Sequence, residues 1–230
     1  MPAGDELPPE EQDWHRFRQL NQLANHWERP GWADGRRSYH WLLTFEHPSV
    51  LHTLAAQCQE PFRDLAQFDL VPLDTLHLTI QRVAFTDELS AASLEAAATA
   101  VSERCQHVAP FGLRIGWLAG STGAIRLTAL PAAPVAAVRD IAMDAVTANL
   151  RGEIPVRPAE IFWPHVSIAY SNTTQPVAPV MAQVEALRHL PPAEVLVTSV
   201  ALVELRREGR AYRWDVLERV GLGVDGWTRS

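Results

Sequence analysis

Two short segments of the sequence share a pattern of residue types that can carry out acid–base chemistry. Residues 77–80 read HLTI and residues 165–168 read HVSI. Alternate side chains of a strand share one face, so each segment predicts an imidazole beside a hydroxyl, with aliphatic residues on the opposite face. An imidazole titrates near neutral pH and can accept or donate a proton. Two such strands facing a cleft would surround one bound group with two imidazoles and two hydroxyls.

Attack of water on a strained cyclic phosphodiester needs this set of groups. One of His77 and His165 would deprotonate the water, and the other would protonate the departing sugar oxygen. The hydroxyls of Thr79 and Ser167 would donate hydrogen bonds to the non-bridging phosphate oxygens. The sequence leaves open which histidine is the acid and which ribose oxygen leaves. The scheme requires no metal and no other cofactor.

A third match to H-x-[ST], at residues 47–49, does not fit this pattern. Proline at position 48 cannot sit inside a paired strand, and Ser49 is well placed to cap a following helix. The two retained segments are stricter, because each has apolar residues on both sides of the hydroxyl residue within an alternating strand. Their occurrence as a pair is therefore much less expected by chance than a single match.

The surrounding sequence indicates which elements position these residues. Residues 75–85 and 162–170 alternate like half-buried strands, and apolar residues at helical spacing predict a helix over 11–29. Two hairpins are predicted, with strands over 111–118 and 123–130 and over 195–206 and 211–219. Helices and antiparallel hairpins in similar measure predict an α+β fold. One motif strand in each half predicts two lobes facing each other across a cleft.

The two tetrapeptides resemble the signature motifs of the two-histidine (2H) phosphoesterases, in particular the bacterial RNA 2′,5′-ligase-like proteins and cyclic phosphodiesterases. The resemblance extends from about residue 38 to residue 219. It implies a bilobal fold in which pseudo-twofold-related antiparallel sheets, with helices packed outside, enclose a central cleft. It also implies that His77 and His165 are catalytic and that Thr79 and Ser167 bind phosphate.

The same resemblance implies an activity and further candidate residues. The expected reaction is metal-independent hydrolysis of the 2′,3′-cyclic phosphate of a nucleotide or RNA end to the 2′-phosphate, with reverse 2′,5′-RNA ligation as a second activity. Some members carry an arginine five positions after the second histidine, where this chain has Tyr170. In this chain the arginine, Arg82, stands five positions after the first histidine instead. Arg82 and Tyr170 are therefore candidates for substrate binding. Tyr39 and Trp41 are two more, because the family often lines its cleft from the first strand.

Two alternative functions remain open at the level of sequence. Within the enzyme class, the substrate could be a 2′,5′-oligonucleotide or another cyclic nucleotide. From a different class, the protein could be a nucleotide- or RNA-binding module without turnover. An enzyme should show a bell-shaped pH profile and resist EDTA, whereas a binding module should form no product at any pH.

Composition limits the partners and the location that we expect. A net charge of −7 argues against extensive double-stranded nucleic-acid binding and favours a small nucleotide or an RNA end. The two cysteines form no C-x-x-C pair, and the histidines outside the motifs lack metal-ligand spacing, so we expect no metal. We expect a cytoplasmic monomer without membrane contact, since the sequence has no signal-peptide pattern and no apolar run of about 18 residues.

The expected domain organisation is simple. The sequence predicts a disordered tail over residues 1–10, an N-terminal helical extension over 11–37, a single bilobal domain over 38–219 and a C-terminal tail over 220–230. Whether the extension covers the cleft is left open by the sequence.

Overall fold

The two motif segments lie on strands of two different antiparallel sheets. The computed structural model describes residues 7–150 and 162–223. Within these ranges the α-helices are α1 (Pro9–Arg18), α2 (Val50–Gln59), α3 (Ala91–Cys105), α4 (Ala132–Asn149) and α5 (Ala178–Leu187). The strands are β1 (Gln22–Leu23), β2 (Arg37–Thr44), β3 (Phe68–Leu70), β4 (His77–Phe85), β5 (Phe111–Gly120), β6 (Ala124–Leu130), β7 (His165–Ser171), β8 (Gln175–Pro176), β9 (Ala193–Val197), β10 (Ser199–Glu208) and β11 (Ala211–Gly221). The HLTI segment opens β4, and the HVSI segment opens β7.

The four-stranded sheet carries the first motif on its edge strand. Its strand order is β11-β10-β2-β4, and every neighbouring pair is antiparallel. One face belongs to the main hydrophobic core, where α4 packs against β4 and α3 packs against α4. The opposite face, which bears His77, carries a smaller apolar cluster of Leu42, Ala201, Val203 and Leu205. His77 therefore projects away from the main core.

The five-stranded sheet carries the second motif on β7, the strand next to its edge strand β3. Its order is β3-β7-β6-β5-β9, again with antiparallel neighbours. Helix α2 packs against β5, β7 and β9, while α1 contacts β5 and β6. Strand β7 also lies against β4 of the other sheet. The two motif strands are thus neighbours across the junction of the sheets.

Both motif strands contain a β-bulge directly after the motif hydroxyl. In the pairing of β4 with β2, Ile80 is skipped after Thr79, and in the pairing of β7 with β6, Ile168 is skipped after Ser167. An extra residue in one strand shifts the alternation of its side chains by one. The fifth position after each motif histidine therefore shares the face of that histidine, although simple alternation predicts the opposite face.

The predicted α+β class, with antiparallel sheets and helices packed on them, is confirmed. The hairpin predicted over 111–118 and 123–130 corresponds to β5 and β6. Among the residues that the structure describes, no helix is long and apolar enough to cross a membrane.

The helix predicted over residues 11–29 is wrong in its second half. Helix α1 ends at Arg18, and Gln22–Leu23 instead pairs as β1 with β8. Leu23 is fully buried in the main core from this extended conformation. Tertiary pairing and burial thus override a helical spacing that continues beyond the helix. The predicted tail over 1–10 is also too long, because Pro9 already begins α1, and residues 1–6 lie outside the described ranges.

The predicted strand over residues 195–206 is in fact two strands. Residues Ala193–Val197 form β9 of the five-stranded sheet, and Ser199–Glu208 form β10 of the four-stranded sheet. A near-continuous apolar run hides this crossing between sheets in the sequence. At the C-terminus, β11 continues to Gly221 and overlaps the predicted tail, of which residues 224–230 lie outside the described ranges.

Candidate active site

The imidazole of His77 is held by the backbone immediately before it. Nδ1 lies 2.9 Å from the carbonyl oxygen of Thr75. A carbonyl can only accept, so Nδ1 carries the proton and Nε2 is the basic nitrogen. The half-buried ring stands edge-on to Trp214, with ring centroids 5.2 Å apart. Burial lowers the pKa of His77, because it penalises the charged imidazolium more than the hydrogen bond donated to the Thr75 carbonyl favours it.

The imidazole of His165 is held in the same way. Its Nδ1 lies 2.7 Å from the carbonyl oxygen of Trp163, again two residues earlier in the chain. Both motif histidines therefore have the same tautomer, with Nε2 as the basic nitrogen. The charge of His77 contributes to lowering the pKa of His165, so the two rings lie within electrostatic range of each other.

The two motif hydroxyls accompany the imidazoles on the same faces. Thr79 is exposed opposite Leu42 of β2, and Ser167 is half-buried opposite Arg126 of β6. A cavity beside His77 is lined from both sheets, with Tyr170 on one side. The structure thus brings together the elements of the predicted site, each histidine with its hydroxyl, at the junction of β4 and β7.

Arg126 is a site residue that the sequence analysis missed. Its Nη1 lies 3.3 Å from Nδ1 of His165. Both nitrogens carry protons, so this approach disfavours the imidazolium rather than forming a strong hydrogen bond. Burial, followed by the charge of Arg126, lowers the pKa of His165 to about 4. The available signal was Arg126 and Thr128 at alternate positions of the otherwise apolar strand AIRLTAL.

The two residues at the fifth position after the motif histidines have different surroundings. Tyr170 stacks on His26 with ring centroids 3.8 Å apart. Burial raises the pKa of Tyr170. The guanidinium carbon of Arg82 lies 3.9 Å from the centroid of the Phe85 ring. The bulges place both residues on the motif face, but Tyr170 is the one that lines the cavity beside His77.

Tyr39 and Trp41 do not face the motif residues. Trp41 is 1% exposed and belongs to the main core, and Tyr39 packs against the same core. Both occupy the face of β2 opposite that of Leu42, which pairs with Thr79. This placement argues against the substrate-stacking role that the resemblance suggested for them. Tyr212 and Trp214 of β11 are the aromatic residues beside His77.

Residues 48–209 match the model of the 2′-5′ RNA ligase superfamily. The matched range covers more than half of the chain and includes both motif strands. The chain belongs to this superfamily.

Solved structures share the fold of this chain. Escherichia coli LigT in its apo form is 13% identical, with a TM-score of 0.60 over 82% of this chain and 98% of that chain. TT0787 of Thermus thermophilus is 20% identical, with a TM-score of 0.60 over 82% of this chain and 99% of that chain. ATU0111 of Agrobacterium tumefaciens, a protein of unknown function, is 12% identical, with a TM-score of 0.51 over 93% and 90% of the two chains. At these identities the likeness shows the fold alone. A search of curated proteins gave no match.

In this member of the 2′-5′ RNA ligase superfamily, residues from outside the matched range bridge the two sheets. We call residues 20–36 the strap. Backbone bonds tie it to the five-stranded sheet, among them the bond from the His26 nitrogen to the Ser171 oxygen at 2.7 Å. Arg207 of the four-stranded sheet donates to the carbonyl of Trp27 at 2.8 Å. The strap therefore crosses between the two sheets.

His26 links the strap to both sides of the cleft. Arg29 can only donate, so its Nη2 at 3.1 Å makes Nδ1 of His26 the acceptor and leaves the proton on Nε2. Nε2 then donates to the hydroxyl oxygen of Tyr212 at 3.0 Å. Burial, with the charges of Arg29 and Arg207 next, lowers the pKa of His26 to about 2. His26 is therefore a neutral bridge between Tyr170 and Tyr212.

The positions of the His, Cys, Asp and Glu side chains bear on whether this protein binds a metal ion. Over residues 7–150 and 162–223, no group of three or more His, Cys, Asp or Glu side chains could hold a metal ion. Metal-independence stays a prediction, because residues outside these ranges are not described.

Proposed function

We propose that this protein is a phosphodiesterase that hydrolyses the 2′,3′-cyclic phosphate of a nucleotide or RNA end by metal-independent acid–base catalysis with His77 and His165. The single observation that carries the proposal is the matched pair of imidazoles. Each donates from Nδ1 to a carbonyl two residues earlier and keeps Nε2 as its basic nitrogen. A general base and a general acid of the same tautomer, on neighbouring strands, suit in-line attack and departure at one phosphorus.

The local charges favour one assignment of roles. Arg126 disfavours the imidazolium of His165, so His165 is neutral at physiological pH and accepts a proton from the attacking water. The water oxygen forms a bond to phosphorus while one bridging P–O bond of the ring breaks. His77, which takes up a proton when the anionic phosphate binds beside it, donates that proton to the departing ribose oxygen. Proton transfer between the histidines through solvent restores the starting state.

The remaining site groups would hold the phosphate. Thr79 and Ser167 would donate hydrogen bonds to its non-bridging oxygens, and Arg126 would offset its negative charge. Arg126 replaces Arg82 as our candidate for the charged group, because it lies beside His165 whereas Arg82 lies over Phe85.

The strap and the net charge favour a small substrate. The strap bridges the two sheets beside the cavity residues Tyr170 and Tyr212, and the chain carries a net charge of −7. E. coli LigT has been crystallised in complexes with phosphate, 3′-AMP, ATP and NADP+. These complexes support a nucleotide as the ligand. We therefore propose a cyclic mononucleotide or an RNA terminus as substrate, turned over by a cytoplasmic monomer that does not need double-stranded nucleic acid or a membrane.

A second candidate activity acts on 2′,5′ linkages. The superfamily is described by 2′-5′ RNA ligation, and the same acid–base pair run in reverse would join a 2′-hydroxyl to a 2′,3′-cyclic phosphate end. Water is abundant in dilute solution, so hydrolysis should dominate there. Cleavage of 2′,5′-oligonucleotides is the corresponding test.

The proposed function is tested with 2′,3′-cyclic AMP in the presence of EDTA. We expect the wild type to form a nucleoside monophosphate, and His77→Ala and His165→Ala each to lower kcat by at least about 100-fold, since each removes a proton-transfer group. His189→Ala, at an exposed position away from the site, is the matched control and should retain activity. Analysis of the product as the 2′- or 3′-phosphate identifies the ribose oxygen that leaves.

Three outcomes would count against the proposal. Loss of activity in EDTA would contradict metal-independence, and full activity of either histidine variant would contradict the two-histidine mechanism. A folded wild type that leaves the cyclic nucleotide intact would direct the test to 2′,5′-oligonucleotides. If those also stayed intact, a nucleotide- or RNA-binding module would be the better description.

A further inference from the structure

Helix α1 contributes a buried carboxylate to the site from outside the range that matches the superfamily. Asp13 lies in the second turn of α1, which begins at Pro9, and it is 1% exposed. Its Oδ1 accepts from Nη2 of Arg126 at 2.6 Å and from Nη2 of Arg16 at 2.6 Å. Its Oδ2 accepts from the hydroxyl of Thr128 at 3.0 Å. A carboxylate buried to this degree is stable only because these donors compensate it.

The partners of Asp13 are the residues paired with the second motif. Arg126 and Thr128 of β6 stand opposite Ser167 and His165 of β7. Asp13 grips Arg126 through Nη2, so that Nη1 is left at 3.3 Å from His165. Nε of Arg126 is buried and has no hydrogen-bond partner among the described residues. Nη2 of the guanidinium is therefore anchored to α1, while Nη1 lies beside His165.

A second contact joins α1 to Trp163, two residues before His165. The guanidinium carbon of Arg16 lies 3.3 Å from the centroid of the Trp163 ring, and the Trp163 carbonyl accepts the bond from His165 Nδ1. The same arginine donates to Asp13. Helix α1 thus contacts both the cation beside His165 and the residue that fixes the tautomer of His165.

The position of Asp13 is set by the packing of its helix. Trp14 and Phe17 of α1 are buried in the main core, and α1 lies on β5 and β6. Burial opposes ionisation of Asp13, but the charge of Arg126 and the hydrogen bonds from Arg16 and Thr128 lower its pKa below the ordinary value. The carboxylate therefore stays ionised at neutral pH and keeps its hold on Arg126.

We propose that Asp13 is a positioning residue that holds the guanidinium of Arg126 beside His165 and toward the phosphate bound between the two motif histidines. This inference rests on the proposed function and names a residue that positions a charged side chain of the same site. Without Asp13, a long and flexible arginine side chain would sample other rotamers, and the site would lose preorganised positive charge. The charged groups acting on His165 are Arg126 of β6, Asp13 of α1 and His77 of β4.

The test compares Asp13→Asn with Glu11→Gln, a matched control on the same helix. Glu11 pairs with Arg188 at 2.6 Å, so its variant also removes one carboxylate–arginine pair of α1, although it leaves the residues around His165 unchanged. We expect Asp13→Asn to lower kcat for 2′,3′-cyclic AMP by about 10- to 100-fold through misplacement of Arg126. Glu11→Gln should stay within about twofold of the wild type, as usual for a pair with an exposed partner. Equal losses in the two variants would indicate mere helix docking and overturn the proposal.

A double-mutant cycle separates positioning from folding. Asp13→Asn alone leaves Arg126 buried without its counter-charge, and this variant could unfold. The double variant Asp13→Asn/Arg126→Gln removes both charges together. If Asp13 acts through Arg126, the double variant should be about as slow as Arg126→Gln alone, because coupled residues are non-additive. Multiplied losses in kcat would overturn the proposal.

An NMR titration of the imidazoles does not depend on turnover. Arg126 lowers the pKa of His165 more than Asp13 raises it, so release of Arg126 in Asp13→Asn should shift the titration of His165 to higher pH, whereas a shift to lower pH would indicate loss of the Asp13 charge without displacement of Arg126 and would overturn the proposal. An unchanged titration of His165 in folded Asp13→Asn would overturn the proposal. A wild type that binds but does not hydrolyse cyclic nucleotides would contradict the proposed function alone, because this shift would still decide the role of Asp13.

Discussion

At the scale of single residues, His165 couples the protonation of the site to the stability of the protein. Its pKa is lowered to about 4 in the folded state, whereas the ordinary value is 6.5. Between these values the unfolded chain binds more protons than the folded chain, so acid favours unfolding. The contribution is fully present above pH 6.5 and is lost as the pH falls toward 4. The pKa values of His77 and His26 are lowered as well, so both act in the same direction.

We therefore predict that the free energy of unfolding falls between about pH 7 and pH 4, and that His165→Gln reduces this fall by about 2–3 kcal/mol. Urea denaturation at several pH values measures the difference between the two proteins. A wild type and a His165→Gln variant with parallel pH profiles would contradict a depressed pKa at this position.

At the scale of elements, α1 is locked to the five-stranded sheet by one glycine of β5. A Cβ atom added at Gly120 would collide with the ring of Phe17, which is fully buried. Gly112 lies on the same strand, and a Cβ atom there would meet no atom within 4 Å. The two glycines therefore provide a matched pair of sites for substitution.

We expect Gly120→Ala to lower the free energy of unfolding by about 1–3 kcal/mol, because the close-packed core must shift around Phe17. Gly112→Ala should be nearly neutral. Thermal or urea unfolding measures both. Displacement of α1 should also weaken the grip of Asp13 on Arg126, so Gly120→Ala should lose activity in parallel. Equal stability of the two variants would show that α1 is not seated on Gly120 as described.

At the scale of the whole molecule, the strap fastens the two sheets to each other through Trp27. The indole nitrogen donates to Asp69 of the five-stranded sheet at 2.8 Å, and the Trp27 carbonyl accepts from Arg207 of the four-stranded sheet at 2.8 Å. The ring packs against Tyr170 and Tyr212, one from each sheet. Loss of this side chain should weaken both sides of the cleft at once.

We predict that Trp27→Ala lowers the free energy of unfolding by about 3 kcal/mol through lost packing. Trp27→Phe keeps a ring but removes the bond to Asp69, and it should cost about 1 kcal/mol. Urea unfolding provides the energies, and hydrogen exchange of the Tyr170 and Tyr212 amides reports on each sheet. If only one sheet exchanges faster in Trp27→Ala, the strap does not couple the two.

Local patterns in the sequence were enough to predict the candidate catalytic residues and the class of fold. His77 with Thr79, and His165 with Ser167, are visible because strand alternation is a local property of the backbone, and the structure puts each pair on one face. The antiparallel α+β architecture follows from helical and alternating patterns that are also local. Boundaries failed where burial of Leu23 overrode a helical spacing and where one apolar run served two sheets.

The surroundings of the two histidines became visible in the folded chain alone. The bulges at Ile80 and Ile168 change the facing of later residues, and a bulge depends on pairing with a neighbouring strand that the sequence does not specify. Trp41 was misjudged for a similar reason, because either face of β2 could have been the buried one. Asp13 and Arg126 are 113 positions apart and meet only because α1 folds back onto β6. Charge and packing contacts between distant segments have no local pattern, so they become visible only once the chain is folded.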